Sequence, residues 1–290
     1  MTDMEGVAGV INHDDWVLPN SPYYEKGKEL LTREVNAAIA GFFEAGATEI
    51  YVSDGHGAGG INIELLDARS KLIRGWPTGY PLLLDQTFDA LAFVGQHAKA
   101  GTTYSHITHT QWFNYIDLSI NKISIGEPGQ LAMCASEMGI PTIFASGEKA
   151  LCSEVEELIP GIETVTIKEG TTPGKGDELS TDEYRKFNLA AIHLHPEKAR
   201  ELIKEGACKA IKKAIKEKDN PKYGIIPLQK PFKLIAIFRP DKWTPYQTVT
   251  TATHLDSVIE LLNIKNDPTP LSEFDEKELF YKPEHCHPIG

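Results

Sequence analysis

The chain is poor in cysteine, in long apolar runs and in positive charge. Its four cysteines, Cys134, Cys152, Cys208 and Cys286, are scattered and form no Cys-x-x-Cys pair. That favours thiols in a reducing cytoplasm over a disulfide framework. No apolar run reaches the ~18 residues that cross a bilayer, and no signal peptide is visible. The expectation is therefore a cytoplasmic protein without membrane contact. Lys and Arg total 29 against 41 Asp and Glu, a net charge of −12. Nucleic acid and anionic membranes require a basic face, so neither is an expected partner; cationic metals are tolerated.

What is present suits a soluble α/β protein. The 290 residues are 41% hydrophobic and 24% charged, enough for one large domain or two modest ones. Apolar residues Leu30, Leu31, Val35, Ala38, Ile39, Phe42 and Phe43 recur at helical spacing, predicting a helix over about 23–45. Short apolar runs at 49–52, 72–73, 90–94, 142–145, 163–167, 232–238 and 249–253 predict strands. Further helices are predicted over about 128–138, 148–158, 196–218 and 254–262. Tyr115 to Ile125 alternates around Asn121-Lys122, a hairpin pattern. Strands alternating with helices give an α/β fold, with a mixed or mostly parallel sheet flanked by helices. A catalytic domain is expected over 1–170 and a smaller α/β segment over 171–290, serving in oligomerisation or in shaping the substrate site. Gly170 to Gly176 reads as a linker.

The polar residues at the expected strand ends are Asp3, Glu5, His56, His97 and Glu127. Asp3 and Glu5 are two apart, so an extended backbone points both to one side, and Gly6 lets the chain turn at once. Neighbouring carboxylates repel unless a cation neutralises them. Carboxylates mixed with imidazoles suit zinc, and five ligands suit two ions about 3.5–4 Å apart with one carboxylate bridging.

These residues also carry a resemblance. Asp3-Met4-Glu5-Gly6, Ser53-Asp54-Gly55-His56, Gly95-Gln96-His97-Ala98-Lys99-Ala100, Thr108-His109-Thr110, Ile120-Asn121 and Ile125-Gly126-Glu127 together resemble the D-aminopeptidase family of zinc peptidases. The likeness runs in order from residue 1 to about 170, weakens through 170–230 and resumes over 230–262. It implies two zinc ions per subunit, bridged by Asp3 and held also by Glu5, His56, His97 and Glu127. It implies a catalytic histidine nearby, and spacing counted back from Gly126-Glu127 selects His109 over His106, leaving His106 to line the substrate pocket. It implies release of N-terminal, D-configured amino acids from short peptides or amides, within a homo-oligomeric ring, a decamer. The family's first strand precedes the Asp-x-Glu-Gly motif, and no such strand is expected here.

Two other functions use the same residue types. A two-metal phosphoesterase would share the ligands, but the ligand loops offer only Lys99 for a phosphate. A non-catalytic peptide- or metal-binding protein would keep the site idle. Elsewhere, His285-Cys286-His287 reads as a terminal tract, His193 and His195 as surface or helix-cap residues, and His13 as a residue near the site entrance.

Overall fold

The computed structural model describes residues 1–283. In chain order it contains α1 (His13–Trp16), α2 (Tyr24–Glu44), β1 (Tyr51–Ser53), β2 (Lys71–Ile73), β3 (Leu91–Gln96), β4 (Tyr115–Ile120), β5 (Ile123–Ser124) and α3 (Glu127–Glu137). There follow β6 (Thr142–Glu148), α4 (Lys149–Leu158), β7 (Glu163–Gly170), α5 (Thr181–Tyr184), β8 (Ala191–His193), α6 (Pro196–Lys216), β9 (Phe232–Phe238), β10 (Thr248–His254), α7 (Val258–Asn263) and β11 (Thr269–Pro270).

The strands form three hydrogen-bonded groups: β1-β2, β3-β6-β7-β8 and β11-β10-β9-β4-β5. The pair β1-β2 is parallel, β3, β6 and β7 are parallel to one another, and β8 closes that edge antiparallel. The third sheet is antiparallel throughout. The first two groups are joined by the start of the chain. Thr2 bridges Asp54 on one side and Val94 on the other, both in parallel sense. The backbone bonds Thr2 N–H to Ser53 O (2.9 Å), Asp3 N–H to Val94 O (3.0 Å) and Val94 N–H to Met1 O (3.1 Å) complete the join. Met1–Asp3 thus lie where a first strand would pair, reduced to the single bridging residue Thr2.

The amphipathic pattern explains the layering. Helix α2 buries Leu30, Leu31, Val35, Ala38, Ile39 and Phe42, and α6 buries Ala199, Ile203, Ala207 and Ala210. The two helices pack on one another and share a core with Val94, Phe144 and Val165 of the parallel sheet. A second core joins Leu91, Phe93 and Ala145 to helices α3 and α4 and to Ala236 and Ala252 of the antiparallel sheet. The hairpin turn is the expected Asn121-Lys122, with φ of 48° and 72°, the left-handed pair that a two-residue turn of matching twist requires.

The chain beyond residue 170 contributes β8 to the parallel sheet, β9, β10 and β11 to the antiparallel sheet, and α6 to the helix layer. Three expectations change. The helix predicted over 254–262 is only Val258–Asn263, because β10 keeps pairing with β9 as far as His254 and Ser257 caps the helix by accepting from Glu260 N–H. Strand β8 and the short helix α1 had no apolar period to announce them. The stretch read as a linker lies against the 102–105 loop, with Tyr104 N–H bonded to Thr172 O (2.9 Å) and Gly174 N–H to Thr103 Oγ1 (3.0 Å). No helix among the described residues is long and apolar enough to cross a membrane. Cys134 and Cys152 are buried free thiols, and Cys208 is a half-buried one. The His285-Cys286-His287 tract lies outside the described residues.

Candidate active site

The site forms where strands of the parallel sheet end. Asp3 and Glu5 follow the Thr2 bridge, His56 lies just beyond β1, His97 directly follows β3, and Glu127 is the first residue of α3. Carboxyl ends of parallel strands are where open α/β sheets place their ligands. The segments touch closely. A Cβ on Gly6 would overlap the Gln96 carbonyl, and one on Gly95, at φ +77°, would overlap the Asp3 carbonyl. Glycine at both positions lets Asp3–Glu5 lie flat against the end of β3 and meet His97.

Six side chains expected at the site come together in two groups, Asp3–Glu5–His56 and His97–His109–Glu127, each with ligand-type atoms within 4.8 Å of one another. Asp3 links them. Its Oδ1 lies 3.0 Å from His56 Nδ1 and its Oδ2 3.2 Å from His97 Nε2. Glu5 Oε2 is 3.3 Å from His56 Nδ1, and Glu127 Oε1 is 3.7 Å from His97 Nε2 and 4.0 Å from His109 Nε2. All but Glu127 are buried.

The outer nitrogen of each imidazole is tied to a backbone carbonyl. His56 Nε2–H donates to Val17 O (3.0 Å), His97 Nδ1–H to Ala98 O (2.9 Å) and His109 Nδ1–H to Ile107 O (2.9 Å). This sets the tautomer, so the inner nitrogen of each ring presents a lone pair to the carboxylates, the arrangement typical of metal-binding histidines. Three lone pairs facing three carboxylates call for positive charge between them. Glu5 Oε2 and His97 Nε2 are buried without a hydrogen-bond partner, and a divalent cation satisfies both. The donor set, nitrogen and carboxylate oxygen without sulfur, fits zinc.

The electrostatics show the same demand. Burial opposes charge on His97, yet its bond to Asp3 and the carboxylates of Glu127, Asp3 and Glu5 raise its pKa to about 10. Burial likewise opposes ionisation of Asp3, but His56 and His97 hold it well below the usual carboxylate range. Burial and the neighbouring Asp3 and Glu5 push the Glu127 carboxyl up to about 7. His109 goes the other way: burial, then the charge of His97, pull it down to about 3. Its ring is stacked between His97 (4.1 Å between centroids) and Phe113 (4.4 Å).

His106 is turned away from this group. Its Nε2–H donates to Ile11 O (2.9 Å), its ring meets His193 edge-on at 5.2 Å, and burial lowers its pKa to about 2. His193 is half-buried and accepts from Gly9 N–H (3.1 Å), so it is not the surface residue expected; His195 does cap α6. His13 is buried edge-on to Phe113 at 4.9 Å, which places it behind the ring that supports His109.

Sequence reading missed the carboxylates that hold the ligand loops. Glu148, at the end of β6, accepts from Ala98 N–H (2.7 Å), His106 N–H (2.6 Å) and Thr108 Oγ1 (3.1 Å). Glu154 on α4 accepts from Lys99 N–H (2.9 Å) and Gly126 N–H (3.1 Å), joining the His97 loop to the start of α3. Lys168, buried in β7, donates to the Glu5 carbonyl. The strand-end position of Glu148 was a usable signal, hidden because the strand was expected to stop at Ala145.

The D-aminopeptidase family model, peptidase family M55, matches residues 1–242, including the stretch after 170 where the likeness was expected to weaken. A curated D-aminopeptidase of Bacillus subtilis (strain 168) is 33% identical over 170 residues, which are 58% of this chain and 61% of that protein; the alignment spans less than two thirds of the relative. The structure resembles that of the Zn-dependent D-aminopeptidase DppA from Bacillus subtilis, a self-compartmentalizing protease, with a TM-score of 0.72 and 25% identity over 90% of this chain and 93% of that one. With the family model matched over most of this chain, residues 1–242, the chain belongs to the D-aminopeptidase family of peptidases.

Proposed function

We propose that this protein is a zinc-dependent aminopeptidase that releases N-terminal, D-configured amino acids from short peptides or amino-acid amides. The observation that carries the reading is Asp3, whose two oxygens each face a different histidine, at 3.0 and 3.2 Å. A carboxylate so placed would be available to two cations at once, one beside each histidine. Asp3, Glu5, His56, His97 and Glu127 are the proposed ligands of two zinc ions.

Bound zinc supplies Lewis acidity and lowers the pKa of water from ~15.7 to about 7. The chain's own part is orientation and proton handling. His109 Nε2 carries a lone pair, because Nδ1–H is committed to Ile107 O. It can take the proton of an attacking water and return it to the leaving amine. Once charged, the imidazolium keeps its bond to Ile107 and has the Glu127 carboxylate 4.0 Å away. Stacking on His97 and Phe113 prevents the ring from swinging out of line. Burial of the surrounding residues keeps bulk water from competing for these groups.

The self-compartmentalizing relative supports a homo-oligomer, with a decameric ring as the proposed form and the segment after residue 170 and the β4–β5 hairpin as proposed interfaces. His106 is proposed to support the pocket from behind rather than to touch substrate, and the cytoplasm is the proposed location. The test is turnover of D-Ala-D-Ala, L-Ala-L-Ala and p-nitrophenyl phosphate by metal-stripped and zinc-restored protein. Cleavage of the D-peptide that depends on zinc supports the reading. Zinc-dependent release of nitrophenol without peptide cleavage would replace it with a phosphoesterase.

A further inference from the structure

A cavity of about 520 Å³ opens beside the centre and is lined by Asp3 and Glu127 together with residues that have no role in the chemistry above. Its deep wall includes Gln96 and Phe93, both buried, and its outer residues include Asn263 and Lys265, both exposed. Leu82, Leu131 and Leu262 give it apolar surface between. Such a volume lies in the ordinary range of small-ligand sites, ~300–1,000 Å³.

Three features define what fits. Two lining residues have buried polar atoms with no hydrogen-bond partner, the Gln96 side-chain oxygen and the Trp76 Nε1–H; a ligand N–H would satisfy the first and a carboxylate or carbonyl oxygen the second. The apolar wall accommodates a small side chain. Lys265 is the sole Lys or Arg among the lining residues and makes no ion pair with any described residue, in a chain whose net charge is −12. A carboxylate is its complement. Amine or amide N–H within, a small side chain between and a carboxylate outward is the chemistry of an amino acid with a free C-terminus. A space of about 520 Å³ is roughly 8 Å across if equant, and one extended residue spans about 3.5 Å, which leaves room for its side chain and carboxylate.

We propose that this cavity receives the residue on the carboxyl side of the scissile bond and that Lys265 binds its free carboxylate. The protein thereby distinguishes a peptide acid from the corresponding amide. This rests on the aminopeptidase reading, which fixes the scissile bond at the centre.

The experiment compares D-Ala-D-Ala with its C-terminal amide, using zinc-loaded wild-type protein, Lys265→Glu and Lys265→Arg. The wild type favours the acid. In Lys265→Glu the acid-to-amide ratio of kcat/KM falls by up to about fivefold, mainly through KM for the acid, as loss of an exposed ion pair predicts. Lys265→Arg retains the preference. An equal ratio in wild type and Lys265→Glu overturns the proposal. Calorimetric binding of the acid against the amide tests the subsite without turnover. Failure to cleave either compound therefore counts against the aminopeptidase reading alone, while equal binding of both counts against the subsite.

Discussion

Two sets of buried carboxylates contact the His97 loop, and they differ in what their oxygens meet. Asp3 and Glu5 face imidazole nitrogens; Asp3 Oδ1 takes one backbone N–H besides, from Met4 (2.9 Å), and Glu5 Oε2 has no hydrogen-bond partner. Glu148, just as buried, is saturated by two backbone N–H groups and a hydroxyl. Residue type and burial are alike; the partners separate the proposed metal ligands from a carboxylate that shapes the loop. Backbone donors neutralise a carboxylate by geometry and leave nothing for a ligand. Facing lone pairs cannot do so, and the proposed cations would meet the deficit.

The comparison can be broken most sharply at His109, which sits in the same group as His97 and Glu127 yet is assigned to proton handling. His109→Ala should lower kcat by about 10²–10⁴-fold while zinc content, read by atomic absorption, stays near that of the wild type. Loss of zinc with activity would make His109 a ligand instead. A smaller effect is expected at Glu148. Glu148→Ala strands the buried donors of the 98–108 loop, so denaturant unfolding should show a loss of about 3 kcal/mol and titration a zinc affinity ~10–100-fold weaker. A variant that binds zinc normally would reduce Glu148 to a packing residue.

Glu34 on α2 sharpens the contrast from the other direction. Its Oε1 accepts from Ala8 N–H at 2.9 Å, its Oε2 has no partner, and burial raises its pKa to about 8. The folded state therefore holds this proton over a pH range in which the unfolded chain has lost it. Stability contributed by the protonated form declines as pH rises from about 4.5 toward 8, by at most about 1.4 kcal/mol per pH unit. Glu34→Gln should flatten that slope in urea unfolding measured across the range, and an unchanged slope would show that another group is responsible.

Much of the site was readable because metal chemistry restricts residue types and parallel strands put their ends together. Asp3, Glu5, His56, His97 and Glu127 could be collected from separate motifs on that ground, and α2, β9 and the Asn121-Lys122 hairpin from apolar period and turn chemistry. What escaped depended on contacts distant in sequence. Nothing local marks Lys168 as reaching the Glu5 carbonyl across 163 residues, or shows that His106 turns away toward Ile11. The short start of the chain also read as a missing strand, because strand period needs more residues than Met1–Asp3 provide.

The central claim is that Asp3 joins two cation sites, and zinc stoichiometry by equilibrium titration of metal-stripped protein tests it most directly. The wild type should bind about two zinc ions per chain and Asp3→Asn fewer than about one, since the shared ligand serves both. A single ion per wild-type chain, or two retained by Asp3→Asn, would contradict it.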